Sequence, residues 1–378
     1  MKYFLIAGEA SGDLHGSTLV RHLMKVDKEA VIECWGGDRM EAEGAKLLKH
    51  YRDHAIMGFW EVLVNFNRII RNLKLCKRQI YSFKPDVVIL IDYPGFNLRI
   101  ARFLKENKIR SYYYISPKVW AWKESRVEMI RRFIDRMYII FPFEVEFYRK
   151  HDINAIYYGN PLVETVKMEM DSVRDPGKFR TENQLDDRPV IALLAGSRQQ
   201  EIKLILPQMI KIKKYYSDYQ FVIAGISSVP VRIYEKIIGD EEIRIVFDQT
   251  FQVLSASQMA LVTSGTATLE TALAGIPQIV CYKASPLTYQ VAKRFLKLRF
   301  ISLVNLIMDK EIVKELIQHD LNERNLISEI NTLLPGGWKR EVMLNNYKRL
   351  SSLLKGDGTS GKIASDVFQT LMMVNNVN

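Results

Sequence analysis

Asp92 is the residue whose surroundings best suit it to take a proton. It closes an apolar run, P-D-V-V-I-L-I-D (85–92), and is followed by Y-P-G-F-N (93–97). The unbroken β-branched run predicts a strand buried on both faces of a parallel sheet. Asp92 then stands at the strand's carboxyl end, with Pro94 and Gly95 shaping a sharp turn. A carboxylate there can act as a general base, or it can simply cap the turn. A second polar tip is G-E-A-S-G-D-L-H-G (8–16), carrying Glu9, Ser11, Asp13 and His15. Gly8, Gly12 and Gly16 are spaced by four, so this is not the dinucleotide fingerprint. It is still a glycine-rich strand-to-helix turn, where ligands meet open α/β sheets; a capped turn with solvated acids would read the same way.

Two further turns suit anions. In A-G-S-R-Q-Q-E-I (195–202), Gly196, Ser197 and Arg198 follow a predicted strand and open a helix. Arg198 could clamp a diphosphate with a forked pair of hydrogen bonds, or could pair with Glu201 at the surface. In M-A-L-V-T-S-G-T-A-T-L-E-T-A-L-A-G-I-P (259–277), a buried strand leads into Ser264, Gly265, Thr266, Ala267 and Thr268, then a helix stopped by Gly275 and Pro277. The first helical turn has N–H groups without internal partners and a partial positive charge, which favours phosphate. Glu270, one turn on, could accept hydrogen bonds from a ribose. An ordinary helix capped by Ser264 or Thr266 is the plainer alternative. No G-x-x-x-x-G-K-[ST], H-E-x-x-H or G-x-S-x-G pattern occurs, nor a pair of aspartates two apart to hold a divalent metal on a nucleotide sugar.

The elements that must hold these turns come in two blocks of alternating strand and helix, each expected to form a mostly parallel sheet. A polar, acidic stretch at 167–188 reads as a linker between them. The length of 378 residues favours two domains, and 48% hydrophobic content is enough for full cores. Residues 56–74 begin with an apolar tip (Met57, Phe59, Trp60, Val64, Phe66) and end in cations (Arg68, Arg71, Lys74). That pairing suits an acidic membrane surface or a greasy phosphorylated ligand; a core helix with a solvated basic end is the alternative. Trp120 and Trp122 could wall a cleft. Residues 287–300 read as a basic helix, and 311–319 as a helix with Glu315 and Gln318 on one face. Helices over 338–354 and 362–373 close the chain. A net charge of +11 points to an anionic partner. Cys34, Cys76 and Cys281 are far apart, which argues against a disulfide framework or zinc site and for a reducing compartment. The N-terminal apolar run is too short for a signal peptide, and no apolar stretch approaches the roughly 20 residues needed to span a bilayer. A cytoplasmic protein is expected, at most resting on a membrane surface.

Taken in order, A-G-E-A-S-G-D-L-H-G (7–16), D-Y-P-G-F-N (92–97), S-P-K-V-W-A-W (116–122), G-S-R-x-x-E-I (196–202) and S-G-T-A-T-L-E (264–270) resemble the lipid-A-disaccharide synthase family. The resemblance runs from about residue 3 to 320. Four positions depart from it: Ala195, Val304 and Lys314 replace usual prolines, and Asn160 replaces a histidine. The resemblance implies an α/β fold of two Rossmann-like domains facing across a cleft, the glycosyltransferase-B arrangement. It implies an acceptor-binding, membrane-facing domain over 1–166, a UDP-sugar domain over 167–345, and helices over 346–378 that pack back on the first domain or are exchanged in a homodimer. It implies transfer, with inversion, of a diacylated glucosamine from UDP to the 6-hydroxyl of diacylglucosamine 1-phosphate on the cytoplasmic face of the inner membrane. No cofactor, metal or nucleic acid is expected. Asp92 would be the base, with His15 an alternative first proton acceptor; Asn97 and the Glu9, Ser11, Gly12, Asp13 and His15 loop would orient acceptor or base. Gly196, Ser197, Arg198, Glu201 and 264–268 would hold UDP, helped by Glu270, Asn305, Glu315 and Gln318. A UDP-sugar epimerase of similar architecture and a non-enzymatic binder of acidic lipid are the competing readings. A nicotinamide dehydrogenase is disfavoured, because the G-x-G-x-x-G pattern is missing.

Overall fold

A computed structural model describes residues 1–53, 66–117, 119, 125–173, 176–285, 289–290 and 299–375. The chain forms two compact units, 1–161 with 354–378 and 162–353.

The first unit is built on seven parallel strands: β1 Lys2–Ala7, β2 Val31–Gly36, β3 Lys46–His50, β4 Val87–Ile91, β5 Ser111–Tyr114, β6 Arg136–Ile139 and β7 Ala155–Tyr157. Their order is β3-β2-β1-β4-β5-β6-β7. Every residue of β4 is buried, as its β-branched run demands. Phe4, Ile6, Val88, Leu90 and Tyr113 pack on one side against Cys76 and Ile80 of helix Phe66–Phe83 and Phe96, Ile100 and Leu104 of helix Pro94–Glu106.

The second unit repeats the plan with β8 Val190–Leu194, β9 Gln220–Gly225, β10 Arg244–Phe247, β11 Ser257–Thr263, β12 Gln278–Tyr282 and β13 Lys314–Ile317. The order is β10-β9-β8-β11-β12-β13. In each all-parallel sheet the strand order therefore reverses beside the first strand, between β1 and β4 and between β8 and β11. Ligands of open α/β sheets bind outside the strand ends at such points. The four candidate turns follow these four strands.

The chain leaves the first unit at Pro161 and re-enters at Leu354. The Asn160 N–H and the Tyr157 hydroxyl both donate to the Leu354 carbonyl, each at 2.9 Å. Gly159 has φ +127°, and a Cβ there would lie 2.0 Å from the Lys355 carbonyl oxygen, so only glycine fits this contact. Helix Thr359–Asn375 then packs on helix Ala10–Val26. It buries Ile363, Ala364, Val367 and Leu371, and its Asp366 takes a forked pair of bonds from Arg136 and one from the Tyr138 hydroxyl.

Several elements differ from expectation. The expected linker is mostly helical, at Pro161–Ser172 and Pro176–Glu182. Helix Ala10–Val26 begins inside the expected polar turn, so Ser11, Gly12, Asp13 and His15 are helical and not loop residues. The expected helix at 311–319 is strand β13 followed by a 3-10 turn, Gln318–Asp320. There, pairing with β12 overrides a weak helical spacing in a V-K-E-L-I segment. Edge strand β3 gave no clear signal. In helix Phe66–Phe83 the exposed side carries Ile70, Arg71, Lys74, Arg78 and Tyr81, whereas Arg68 folds back to donate to the Asp53 carbonyl. Met57, Phe59, Trp60 and Val64, the side chain of Phe66, and Trp120 and Trp122 lie outside the described residues. Among the described residues, no helix is long and apolar enough to cross a membrane.

Candidate active-site regions

In the first unit, register places Ala7 opposite Ile91, so Gly8 and Asp92 leave the sheet side by side. Asp92 and Tyr93 both have left-handed backbones, φ +43° and +48°. For non-glycine residues this costs roughly 1–3 kcal/mol each, and such strain gathers at functional sites. Pro94 begins the next helix, where its missing N–H costs nothing. The Asp92 carbonyl falls beyond the strand ladder and accepts from Asn97 Nδ2 at 2.8 Å and from the Tyr113 hydroxyl at 2.5 Å. The same Asn97 amide also reaches the carbonyls of Ile91 at 3.2 Å and Ile6 at 3.4 Å, stitching β4 to β1. Asn97 is 0% exposed, so it positions the Asp92 backbone and cannot touch an acceptor.

The spacing of four between glycines is a packing pattern. A Cβ on Gly8 would lie 2.3–2.6 Å from three ring carbons of Tyr93; on Gly12, 3.1 Å from Ala7 Cβ; on Gly16, 2.6 Å from Met40 Sδ. The Tyr93 ring stacks on Phe96 at 5.4 Å, and Phe96 on Trp35 at 5.6 Å, which anchors the turn in the core. Asp13 is buried, and its carboxylate accepts from the N–H groups of Gly37 at 2.7 Å, Arg39 at 3.2 Å and Met40 at 3.2 Å. It is a brace between two turns. His15 is buried, with Nδ1 unpaired, and burial lowers its pKa to about 4. Glu9 and Ser11 stay partly exposed at the helix start. On the neighbouring strand end, buried Glu144 holds the Ser116 hydroxyl and the N–H groups of Ile140 (3.3 Å) and Phe141 (3.0 Å), bracing the S-P loop.

In the second unit, Val262 pairs with Leu194, which sets the turns after β8 and β11 side by side. Gly196 has φ +106°, which suits glycine. Glu201 reaches back to the Ser197 N–H at 3.3 Å and to Arg198 Nη1 at 3.3 Å. The carboxylate thus sits in the anion cradle itself. In the turn after β11, the Ser264 hydroxyl donates to the Ile301 carbonyl at 2.9 Å, and the Thr268 hydroxyl to the Gly265 carbonyl at 2.8 Å. These side chains shape the turn and are not free for a ligand. Gly265 and Thr266 are exposed and Ala267 half-buried. The helix begins at Thr266, so the Thr266 and Ala267 N–H groups precede its hydrogen-bond ladder, while the Thr268 N–H donates to the Gly265 carbonyl at 3.3 Å. Burial raises the Glu270 carboxyl to about 7, and no donor among the described residues pairs with it.

Three residues expected to help hold the nucleotide are engaged in hydrogen bonds within the protein. Asn305 is 0% exposed; its Oδ1 accepts from the N–H groups of Ile312 (2.7 Å) and Val313 (3.0 Å), and its Nδ2 donates to Val313 O (2.9 Å) and Glu315 (2.8 Å). Glu315 also takes the N–H groups of Ile301 (3.0 Å) and Ser302 (2.9 Å) and the Ser302 hydroxyl (2.8 Å). Gln318 brackets Ala284 with both amide atoms, at 3.0 and 3.2 Å. These side chains are consumed in holding the segments that flank the Ser264 turn. Val304 and Lys314, at two positions where proline is usual, sit without strain in a helix and in β13. Tyr113, Tyr93 and Glu144 escaped the sequence reading. The signal was the run S-Y-Y-Y in a fully buried strand, since a buried hydroxyl must find an acceptor.

A family model described as lipid-A-disaccharide synthetase matches residues 3–356. The chain is 34% identical to the lipid-A-disaccharide synthase of Geobacter sulfurreducens, over 98% of this chain and 97% of that one. It is 36% identical to the Myxococcus xanthus enzyme of the same name, with the same coverage. Among solved structures, it is similar in fold to a UDP-GlcNAc 2-epimerase from Neisseria meningitidis bound to UDP-GlcNAc, with TM-score 0.65, 15% identity, and coverage of 98% of this chain and 100% of that one. A glycosyltransferase from Rickettsia africae is also similar, with TM-score 0.60, 10% identity and 98% coverage of both chains. At such identities the likeness is one of fold alone.

Proposed function

The chain belongs to the lipid-A-disaccharide synthase family, and from that premise we propose how its residues divide the work. It is a UDP-sugar-dependent glycosyltransferase with two doubly wound α/β units of glycosyltransferase-B class. It joins a 2,3-diacylglucosamine carried by UDP to the 6-hydroxyl of 2,3-diacylglucosamine 1-phosphate, releasing UDP. The epimerases share its fold, but the sequence relatives are synthases.

In our reading Asp92 takes the proton from the acceptor hydroxyl as that oxygen attacks the anomeric carbon and the bond to UDP breaks. The supporting observation is its place: the carboxyl end of β4, beside β1 at the switch of strand order, on a left-handed backbone. His15 is set aside as first acceptor, because it is buried within helix Ala10–Val26, out of reach of an acceptor hydroxyl. The turns 196–198 and 264–268 receive the diphosphate, and Arg198 and the first-turn N–H groups meet the charge that develops on it. Glu270, desolvated and unpaired, accepts from ribose hydroxyls. The Arg71, Lys74 and Arg78 stripe, flanked by Ile70 and Tyr81, rests on acidic lipid headgroups.

The test is Asp92→Asn, assayed with both acylated substrates and by UDP titration. Turnover should fall by about 10²–10⁴-fold, with UDP affinity unchanged. Normal turnover removes Asp92 from the reaction.

A further inference from the structure

We infer that Tyr113 is a positioning residue for the reaction, setting Asp92 through its main-chain carbonyl. The inference rests on the reading of Asp92 as the base.

Two consecutive left-handed residues, neither glycine nor asparagine, do not hold themselves. The turn rotates the Asp92 carbonyl away from the β4 ladder, where it would be a costly unpaired acceptor of about 1–3 kcal/mol. Two fully buried donors prevent this: Asn97 Nδ2 at 2.8 Å and the Tyr113 hydroxyl at 2.5 Å. They differ in origin. Asn97 belongs to the same turn and helix and moves with them. Tyr113 stands on β5, whose register to β4 is fixed by the pairs Ile89–Tyr112, Leu90–Tyr113 and Ile91–Tyr114. Its hydroxyl therefore references the turn to the rigid sheet. A third contact comes from the next residue of the turn, where the Tyr93 ring lies against Gly8.

Tyr113 is 0% exposed and cannot reach either substrate. Burial also holds its hydroxyl protonated, as a donor. Removing the hydroxyl should let the turn relax and carry the carboxylate away from the acceptor hydroxyl whose proton it takes. Misplacements of about 1 Å cost around 10²-fold in rate.

The experiment compares Tyr113→Phe, Asp92→Asn and the double variant in the full-length enzyme, with Tyr112→Phe as a control for deleting a buried hydroxyl on the same strand. Tyr113→Phe keeps the core volume. Expected are a kcat lowered roughly 10–100-fold, KM for both substrates and UDP affinity within about twofold, and Tyr112→Phe at wild-type kcat. In the Asp92→Asn background, Tyr113→Phe should lower kcat no further, since its effect passes through the carboxylate. Wild-type kcat in Tyr113→Phe overturns the inference, as does an equal loss with and without the Asp92 carboxylate. An active Asp92→Asn enzyme instead overturns the reading of the base, so the two failures are distinct.

Discussion

The Glu201 carboxylate folds back onto the Ser197 N–H, 3.3 Å away, within the turn we propose to receive the diphosphate. It also pairs with Arg198 and would contact any Cβ at Gly196. An incoming diphosphate must displace this internal anion or sit beside it. Glu201→Gln should tighten UDP binding by about tenfold, as a like charge within several ångströms is removed. Calorimetric titration decides; weaker binding would make Glu201 a direct ligand.

Glu270 gives the second unit a pH signature. Its carboxyl is raised by burial from 4.5 to about 7. Below pH 4.5 folded and unfolded chains both hold the proton; between 4.5 and 7 only the folded protein does. Stability should therefore fall as pH rises through this window and level off above it, with a ceiling of about 3 kcal/mol. Glu270→Gln should stabilise the protein at pH 8 and leave it unchanged near pH 4. Titrating UDP near pH 6 in buffers of different ionisation enthalpy should show proton release if ribose hydroxyls bind the ionised form.

His15 gives the first unit the opposite slope. Burial lowers it from 6.5 to about 4, so the unfolded chain binds a proton in that window that the folded protein refuses. Stability should fall as pH drops from 6.5 to 4, and His15→Gln should flatten the fall in urea melts. The kcat profile should show no inflection from His15 above pH 6.

Gly8→Ala would drive a methyl group into the Tyr93 ring. Overpacking of this kind costs about 1–3 kcal/mol, and turnover should fall with it. Adding Tyr93→Ala to Gly8→Ala should cost less stability than the two single substitutions summed, and should not restore turnover. A stable, fully active Gly8→Ala enzyme would show that the ring contact constrains nothing.

Asn305→Ala removes four hydrogen bonds to buried partners. We expect a loss of at least about 2 kcal/mol, read by urea denaturation, and weakened UDP binding as the segment carrying Ile301 loosens beneath Ser264. Unchanged stability would mean that water replaces these bonds.

Much of this was legible beforehand. Buried β4 and β11 announce themselves by unbroken apolar runs, and the turns after them by their glycines and hydroxyls. β3 and β13 did not, because K-L-L-K-H and K-E-L-I are short edge strands whose identity comes from the neighbouring strand. Residue types alone could not separate ligand contacts from braces. Asp13, Asn305, Glu315 and Gln318 look like binding residues in the sequence, and only the structure shows the backbone and side-chain groups they brace. Tyr113 is the converse, a core tyrosine by every local measure, whose role depends on which carbonyl register sets beside it.

The return of the chain at Leu354 has a bearing on biosynthesis. The first unit has its seventh strand in place by residue 157, yet its closing helix is translated about two hundred residues later, after the whole second unit has emerged. Until then the Ala10–Val26 helix lacks its cover, and the nascent protein presents a greasy flank to whatever waits at the ribosome exit.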